Sequence, residues 1–179
     1  LNMLLQSQSE PLSEGQKKLI IACEKGNERM ITIVNEMLHA DRISTGTFEF
    51  TPVATDVVAL IAGVIEELRL AATERTIGIT FTHDANLPAL RIDQEMMRFA
   101  FQNLIDNAIK YSLPRGVVEV HAEVHGAQVT ISITDHGIGI PLDQQPYILS
   151  RFFRATNAIS TEPNGSGLGL SIVKGILEK

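Results

Sequence analysis

The sequence predicts an α+β fold preceded by one long helix, and three observations predict it. Apolar or small residues recur at alternating spacings of four and three from Leu19 to Ala40, which is typical of a helix in a bundle. Further along, short segments that alternate apolar and polar residues are mixed with amphipathic helices. Two of these strands meet at His125-Gly126 and predict an antiparallel hairpin, which argues against a doubly wound parallel sheet.

Composition limits the classes of function. Hydrophobic residues make up 44% of the 179 residues and charged residues 20%, which argues against wholesale disorder. A net charge of -6 without a basic tract makes the chain a poor candidate for binding nucleic acid or an anionic membrane through bulk charge. Cys23 is the single cysteine, so an intrachain disulfide is excluded and a reducing compartment fits. No apolar run approaches the roughly 20 residues of a membrane span, and we expect a cytoplasmic region whose longer parent can be membrane-anchored.

The long helix follows a capping box formed by Ser13 and Gln16. Its apolar row runs from Leu19 to Ala40, and the helix is expected to end at about Ser44. At 1.5 Å per residue it spans roughly 48 Å, longer than a domain of this size can cover with its own core. A partner helix is therefore predicted, from residues 1–10, from a second copy of the chain, or from both. The alternative is a long exposed helix packed on the rest of the chain.

The remaining elements are predicted from the helical and the strand periodicity of apolar residues and from capping residues. Asp93 is the expected N-cap of a helix that Pro114 and Gly116 terminate. In order, the predicted elements are a strand at 48–50, a helix opened by Pro52 and Asp56, strands at 77–81 and 90–92, the helix from Asp93 to about Ser112, the hairpin 117–124 and 128–134, a short helix near 144–149 and a last helix from about Leu168. A loop region separates Asp135 from about Gly167.

The helix after Asp93 carries a polar stripe. Asn103, Asn107 and Lys110 lie at i, i+4 and i+7, so they share one face. Amide oxygens are hard, neutral ligands for a magnesium ion that bridges phosphates, and Lys110 supplies positive charge to a polyanion. The alternative is a polar outer face, and this segment alone leaves both interpretations open.

A second segment, Asp135-His136-Gly137-Ile138-Gly139-Ile140, directly follows a strand. It offers a fixed carboxylate and a backbone that a flat ligand can approach closely. A carboxylate accepts from the exocyclic amine of adenine, whereas guanine presents a carbonyl there, so the pattern favours ATP over GTP. The alternative is an ordinary strand-to-loop turn.

A third segment, Gly165-Ser166-Gly167-Leu168-Gly169-Leu170, opens the final helix. Free N–H groups at a helix start, together with the positive end of the helix dipole, form a phosphate cradle. The segment is not a P-loop, because it follows no strand and no Lys-Ser/Thr pair comes after it. The alternative is a flexible hinge.

Four boxes in this order resemble the catalytic domain of sensor histidine kinases. They are Asn103-Leu104-Ile105-Asp106-Asn107-Ala108-Ile109-Lys110-Tyr111-Ser112, Asp135-His136-Gly137-Ile138-Gly139-Ile140, Arg151-Phe152-Phe153-Arg154, and the glycine cluster continued to Lys174. The long helix resembles the second helix of that family's dimerisation domain. The similarity covers residues 12–179. Each motif alone is a weak signal for the family, but four motifs in the same order and spacing are a specific one.

The resemblance implies a Bergerat-type ATP-binding α/β sandwich, in which helices cover one face of a mixed sheet. It implies a partial dimerisation and phosphotransfer region at 1–46 and a catalytic domain at 47–179. It also implies ATP and Mg²⁺ as ligands, a homodimer through the long helix, and a response-regulator receiver domain as partner. Contact of this region with nucleic acid or membrane is not expected.

By family likeness, Asn107 holds magnesium with Asn103 assisting, Lys110 reaches the phosphates, and Tyr111 lies at the base or sugar. Asp135 accepts from adenine. Residues from Arg151 to Gly169 form a lid, in which Phe152 and Phe153 either pack or touch the ligand and Arg154 meets the γ-phosphate. The predicted ATP-binding residues are Asn103, Asn107, Lys110, Tyr111, Asp135, Gly137, Ile138, Gly139, Ile140, Phe152, Arg154, Gly165, Ser166, Gly167, Leu168 and Gly169.

Two departures from the family pattern concern the ends of the chain. The family's phosphoacceptor stands in a His-Glu/Asp-x-x-Pro setting, and none of the five histidines has such neighbours: His39, His83, His121, His125 and His136. We therefore expect the acceptor upstream of Leu1 and no catalytic residue in this chain. Relatives continue beyond the last helix into two more strands, so the domain is expected to continue past Lys179.

The leading interpretation is a histidine kinase fragment that phosphorylates a histidine outside it, for relay to a response-regulator aspartate. One alternative is a nucleotide-responsive interaction module without kinase activity. Another is a related ATPase used for conformational work, such as a DNA gyrase, mismatch-repair or heat-shock chaperone ATPase. The long apolar row from Leu19 to Ala40 and the short lid disfavour that last alternative.

Overall fold

The computed structural model describes residues 12–44 and 49–179. Contacts divide the chain into two compact units, one ending at His39 and the other spanning Ala40–Lys179. The helices are α1 Glu14–Ser44, α2 Val57–Glu74, α3 Gln94–Tyr111, α4 Thr156–Thr161 and α5 Gly169–Leu177; the strands are β1 Val53–Thr55, β2 Gly78–His83, β3 Leu90–Ile92, β4 Val117–His125 and β5 Gln128–Thr134; a short 3-10 helix is Gln145–Tyr147. The predicted α+β class is confirmed.

The capping box at the start of α1 forms as predicted. The Ser13 backbone N–H donates to Gln16 Oε1 at 2.9 Å, and the Gln16 N–H donates to Ser13 Oγ at 3.2 Å. Apolar side chains of the predicted row are accessible on this helix, with Leu19 68% and Met30 61% exposed. The partner helix predicted from residues 1–10 lies outside the described residues.

The sheet is mixed. β4 pairs parallel with β2 and antiparallel with β5, so the predicted hairpin is confirmed. β1 and β3 form a separate antiparallel pair. The strand predicted at 48–50 is wrong: Glu49 and Phe50 lie outside the strands, and Phe48 lies outside the described residues. Phe50 instead packs against a buried cluster between α3 and α5, so its apolar character reflects anchoring in that cluster rather than a strand.

Helices α2 and α3 cover one face of the sheet. Val118 and Val120 of β4 point towards these helices and are buried, whereas Glu119 between them is exposed. Ile61 of α2 and Ile105 of α3 are fully buried in the same cluster. Helix α3 also packs against α5, through a second cluster that comprises Met96, Ala100, Leu168, Ile172, Val173 and Ile176. Helix α3 therefore lies between the sheet and the last helix.

Both long helices of this unit begin at aspartate N-caps. Asp56 Oδ1 accepts from the backbone N–H groups of Val58 and Ala59, and Asp93 Oδ1 accepts from Met96. These caps satisfy N–H groups that have no partner within the helix. Within the described part of the chain, no helix combines the length and the apolar character that crossing a bilayer requires.

Candidate functional site

The polar stripe on α3 is half-buried and faces away from the sheet core. Asn103 Nδ2 donates to the Phe99 carbonyl at 2.9 Å. A Cβ on Gly169 would lie 2.4 Å from Asn103 Oδ1, so this amide rests directly on the first residue of α5. Lys110 Nζ lies 2.5 Å from Asp106 Oδ2, one turn earlier on the same helix. The stripe therefore contacts α5 through Asn103 at one end, and at the other end the Lys110 ammonium is held by Asp106.

The turn after β5 is fixed on the carboxyl end of α3. The Ile138 N–H donates to the Tyr111 carbonyl at 3.0 Å, and Gly137 forms an isolated bridge with Ser112. A Cβ on Gly137 would lie 2.1 Å from the Tyr111 oxygen, so only glycine fits this approach. Asp135 Oδ1 accepts from the Gly137 N–H at 2.9 Å, which orients the carboxylate across the turn.

The glycine cluster packs between the lid and α3. Gly167 has φ +75° and lies against the Phe152 backbone, whose N–H donates to the Gly167 carbonyl at 2.9 Å. Ser166 Oγ accepts from the Leu168 N–H at 3.1 Å, and Leu168 is buried in the α3–α5 cluster. The first N–H groups of α5 have no acceptors within their own helix, and such groups form a natural anion site.

Helix α3 therefore brings the three predicted segments together. Asn103 touches the glycine cluster at Gly169, and Tyr111 touches the turn at Gly137. The two contacts are about 12 Å apart along the helix axis, as estimated from its rise per residue. Asn107 lies midway between these two contacts on the same stripe, and Lys110 lies next to Tyr111. Gly137 and Gly169, which are 26 and 66 residues beyond their contacts on α3, thus line one helix.

The lid residues Arg154 and Phe153 contact other residues of the segment between β5 and α5. The Arg154 guanidinium donates to the backbone carbonyls of Ala158 at 3.3 Å and Pro163 at 3.2 Å, and also to that of Glu162. It therefore caps the carboxyl end of α4, and its contact with a γ-phosphate stays a prediction. Phe152 has φ +62° and is 61% exposed, whereas the Phe153 ring packs 5.8 Å from that of Tyr147.

Three polar side chains near the lid were missed by sequence reasoning. Asn157 Nδ2 donates to the carbonyls of Ile138 and Gly139. The Gln144 amide bonds reciprocally with Thr156 at the start of α4. Arg75 Nη2 lies 2.6 Å from Glu162 Oε2, and its Nη1 donates to the Lys110 carbonyl. Local sequence patterns carry no signal for these contacts, because the partners are 12 to 87 residues apart.

A predicted magnesium ion would have amides rather than carboxylates as its protein ligands. Among the described residues, no group of three or more His, Cys, Asp or Glu side chains converges on a metal position. Mg²⁺ usually keeps several waters and is held by one or two protein oxygens together with substrate phosphates. Asn107 and Asn103 fit an ion that arrives with a nucleotide, and they do not form a cage for an ion alone.

One carboxyl pKa shift lies away from this site. On the exposed face of β4, a hydrogen bond from His125 lowers the pKa of Glu123 below its ordinary value, with His121 as a further nearby charge. His125 Nε2 lies 2.9 Å from Glu123 Oε1. This pair is part of the sheet surface and contacts none of the three segments on α3.

Comparison with known proteins gives the following likenesses. Residues 92–179 match the family described as histidine kinase-, DNA gyrase B-, and HSP90-like ATPase. The sensor protein kinase WalK of Staphylococcus haemolyticus is 34% identical over 155 residues, which are 84% of this chain and 25% of WalK. The chain thus spans about a quarter of the length of that curated relative.

Two solved structures share the fold. The mycobacterial sensor histidine kinase MprB is 33% identical over 72% of this chain and 80% of its own, with a TM-score of 0.61. Full-length ShkA, crystallised in complex with AMPPNP, is 25% identical over 94% of this chain and 35% of its own, with a TM-score of 0.78. A mixed sheet with helices, preceded by a long helix, is thus common to this chain and its fold neighbours.

Proposed function

The chain belongs to the sensor histidine kinase family, and on this premise we propose that it binds ATP with Mg²⁺ and transfers the γ-phosphoryl group to a histidine. The acceptor histidine lies outside this chain in this proposal, and an aspartate of a response regulator receives the phosphoryl group next. The relatives are longer than this chain, and their names describe whole kinases. Residues 47–179 are proposed as the catalytic domain and residues 1–46 as part of the dimerisation region.

One observation carries the proposal: helix α3 touches both other motifs. Gly137 rests on the Tyr111 carbonyl and Gly169 rests on the Asn103 amide. A ligand lying along α3 would meet the Asp135 carboxylate at one end and the first N–H groups of α5 at the other. An adenine base fits the first end, because a carboxylate accepts from its amine, and phosphates fit the second. The AMPPNP bound to ShkA supports this choice of ligand.

The side chains between these ends support transfer by positioning and charge neutralisation. Asn107, assisted by Asn103, is proposed to hold the magnesium ion on the phosphates. Lys110 lies on the same stripe, where its ammonium pairs with Asp106, and is proposed to add positive charge near the phosphates. A charge pair at 4 Å with an effective dielectric near 20 contributes about 4 kcal/mol before desolvation, and solvent exposure of Lys110 reduces this figure.

The exposed apolar row of α1 supports homodimerisation. Leu19, Met30 and Val34 are each more than half exposed, and a helix of 31 residues with such a row is stabilised by packing against another helix. A response-regulator receiver domain is the proposed second partner, by family membership. The predicted cytoplasmic location belongs to this proposal, because ATP is supplied there.

The metal assignment is tested by Asn107→Asp, with Gln102→Glu as the control. Both changes add one negative charge to α3, but Gln102 is exposed and lies off the stripe. We expect Asn107→Asp to abolish magnesium-dependent ATP binding in calorimetry, because a carboxylate in place of the amide repels the phosphates, and Gln102→Glu to retain it. Unchanged nucleotide affinity in the Asn107 variant would remove the metal assignment.

Kinase activity is tested in the full-length protein, because the acceptor histidine lies outside this chain in the proposal. Incubation with ATP and Mg²⁺ should yield acid-labile phosphohistidine, which distinguishes phosphoryl transfer from the alternative of a nucleotide-responsive interaction module. Nucleotide binding without any phosphohistidine would favour that alternative.

A further inference from the structure

Helix α4, in the lid, is attached to the turn that follows β5. We propose that Asn157 is a positioning residue that couples α4 to the turn 135–140, so that ordering of the turn by a nucleotide and ordering of the lid stabilise each other. The proposal rests on the proposed function for the identity of the ligand. The coupling itself rests on contacts of this chain alone.

The Asn157 amide is matched to the turn. Its Nδ2 donates to the Gly139 carbonyl at 2.9 Å and to the Ile138 carbonyl at 3.3 Å, and its Oδ1 accepts from the Ala158 N–H at 3.0 Å. A primary amide has two N–H donors, one for each carbonyl, and one acceptor oxygen. Gly139 has φ +63°, so this amide binds the carbonyl of a residue whose backbone conformation favours glycine.

The turn that Asn157 grips is itself fixed to α3. The Ile138 N–H donates to the Tyr111 carbonyl, and the Ile138 carbonyl accepts from Asn157. One peptide segment is therefore held from both sides, by the carboxyl end of α3 and by α4. A ligand that contacts Asp135 or Gly137 acts on a segment only one or two residues from these bonds.

Helix α4 depends on such contacts. It has six residues, and isolated helices of this length are unstable in water. Gln144 caps its first residue, Arg154 caps its last carbonyls and Arg75 pairs with Glu162 just after it, but none of these three side chains bonds to the turn 135–140. Asn157 donates directly to two carbonyls of that turn. Loss of its amide donors should therefore separate the order of α4 from the order of the turn.

The coupling is tested by amide hydrogen exchange of Asn157→Asp and Asn157→Ala in the nucleotide-free protein. Aspartate has the same shape but, when ionised, no donor. Ser160→Ala is the control, because Ser160 Oγ donates only to the Thr156 carbonyl within α4. Removal of two neutral hydrogen bonds should speed exchange about 30-fold in both 135–140 and 156–161. Ser160→Ala should affect 156–161 alone.

If both Asn157 variants leave exchange at 135–140 as in the wild type, the coupling is overturned. A second measurement adds ATP and Mg²⁺: both segments should gain protection in the wild type, whereas in Asn157→Asp the turn gains it and α4 does not. ATP affinity should fall about tenfold in that variant and stay unchanged in Ser160→Ala. Joint protection with wild-type affinity in the Asn157 variants would also overturn the inference.

The two proposals fail separately. A wild-type protein that does not bind ATP would remove the proposed ligand, and the nucleotide-free exchange comparison would still decide whether Asn157 couples the turn to α4. Conversely, tight ATP binding with independent exchange of the two segments would leave the ligand in place and remove the coupling.

Discussion

Replacement of Gly137 by alanine should detach the turn from α3. The added Cβ would lie 2.1 Å from the Tyr111 oxygen and 2.7 Å from Asp135 Oδ1, whereas ordinary contacts begin at 3.4 Å. The backbone at one of these points must therefore move by about 1.3 Å. Because Tyr111 belongs to a packed helix and the turn is largely exposed, we expect the turn to move outwards and the Ile138–Tyr111 hydrogen bond to break.

The size of the effect follows from these contacts. Overpacking costs about 1–3 kcal/mol and the lost hydrogen bond about 1 kcal/mol, so the intact turn is destabilised by about 2–4 kcal/mol. Movement of the turn relieves most of this strain, so the melting temperature should fall by only a few degrees. Under the proposed function the nucleotide contacts the intact turn, so we expect ATP affinity to fall about 30-fold or more.

The assay is titration calorimetry with ATP and Mg²⁺, combined with thermal denaturation. Gly63→Ala is the matched control, because a Cβ at Gly63 in α2 has no neighbour closer than 4.0 Å and alanine favours a helix. If Gly137→Ala binds ATP within twofold of Gly63→Ala, the close contact between Gly137 and Tyr111 does not position the nucleotide site.

Two further predictions concern single carboxylates. Asp93 accepts from Met96 through Oδ1 and from Thr51 through Oδ2, so Asp93→Ala should lower the free energy of unfolding in urea by about 1–2 kcal/mol, and Asp93→Asn by about half as much; equal losses would contradict separate roles for the two oxygens. The hydrogen bond from His125 lowers the pKa of Glu123, so this carboxylate stabilises the fold above its unfolded-state pKa near 4.5 and the contribution is lost as the pH falls through the lower folded-state value. In His125→Asn the Glu123 midpoint measured by NMR should rise towards 4.5, and an unchanged midpoint would refute this cause.

Elements with local signals were predictable from the sequence. Strand β3 was predicted with its observed bounds, and Asp93 and Ser13 were predicted as the caps that they form. These predictions succeed because capping and apolar periodicity depend on residues within one or two turns of each other. Strand β1 was misplaced because its pairing with β3 joins segments almost forty residues apart, and Phe50 resembled a strand residue while it packs in a core.

The residues of the candidate site also differ in whether a local sequence pattern could predict them. The polar stripe of α3 is a helical periodicity, so Asn103, Asn107 and Lys110 could be placed on one face from sequence alone. Helix α4 was not predicted, because six residues without an apolar period are ordered by side chains from outside the helix. The roles of Gln144 and Asn157 depend on carbonyls and N–H groups brought close by the fold, and their side-chain types carry no mark of those partners.

Arg154 would have to exchange one set of hydrogen-bond acceptors for another if it bound an anion. Its guanidinium already serves three backbone oxygens of the lid. An anion that recruits it must outcompete those oxygens, so the measured benefit is the difference between two sets of bonds. Truncation of this arginine would therefore destabilise the lid in the absence of an anion and would also weaken anion binding. The first effect makes it easier for the lid to leave its present conformation, and the second makes the anion-bound conformation less stable.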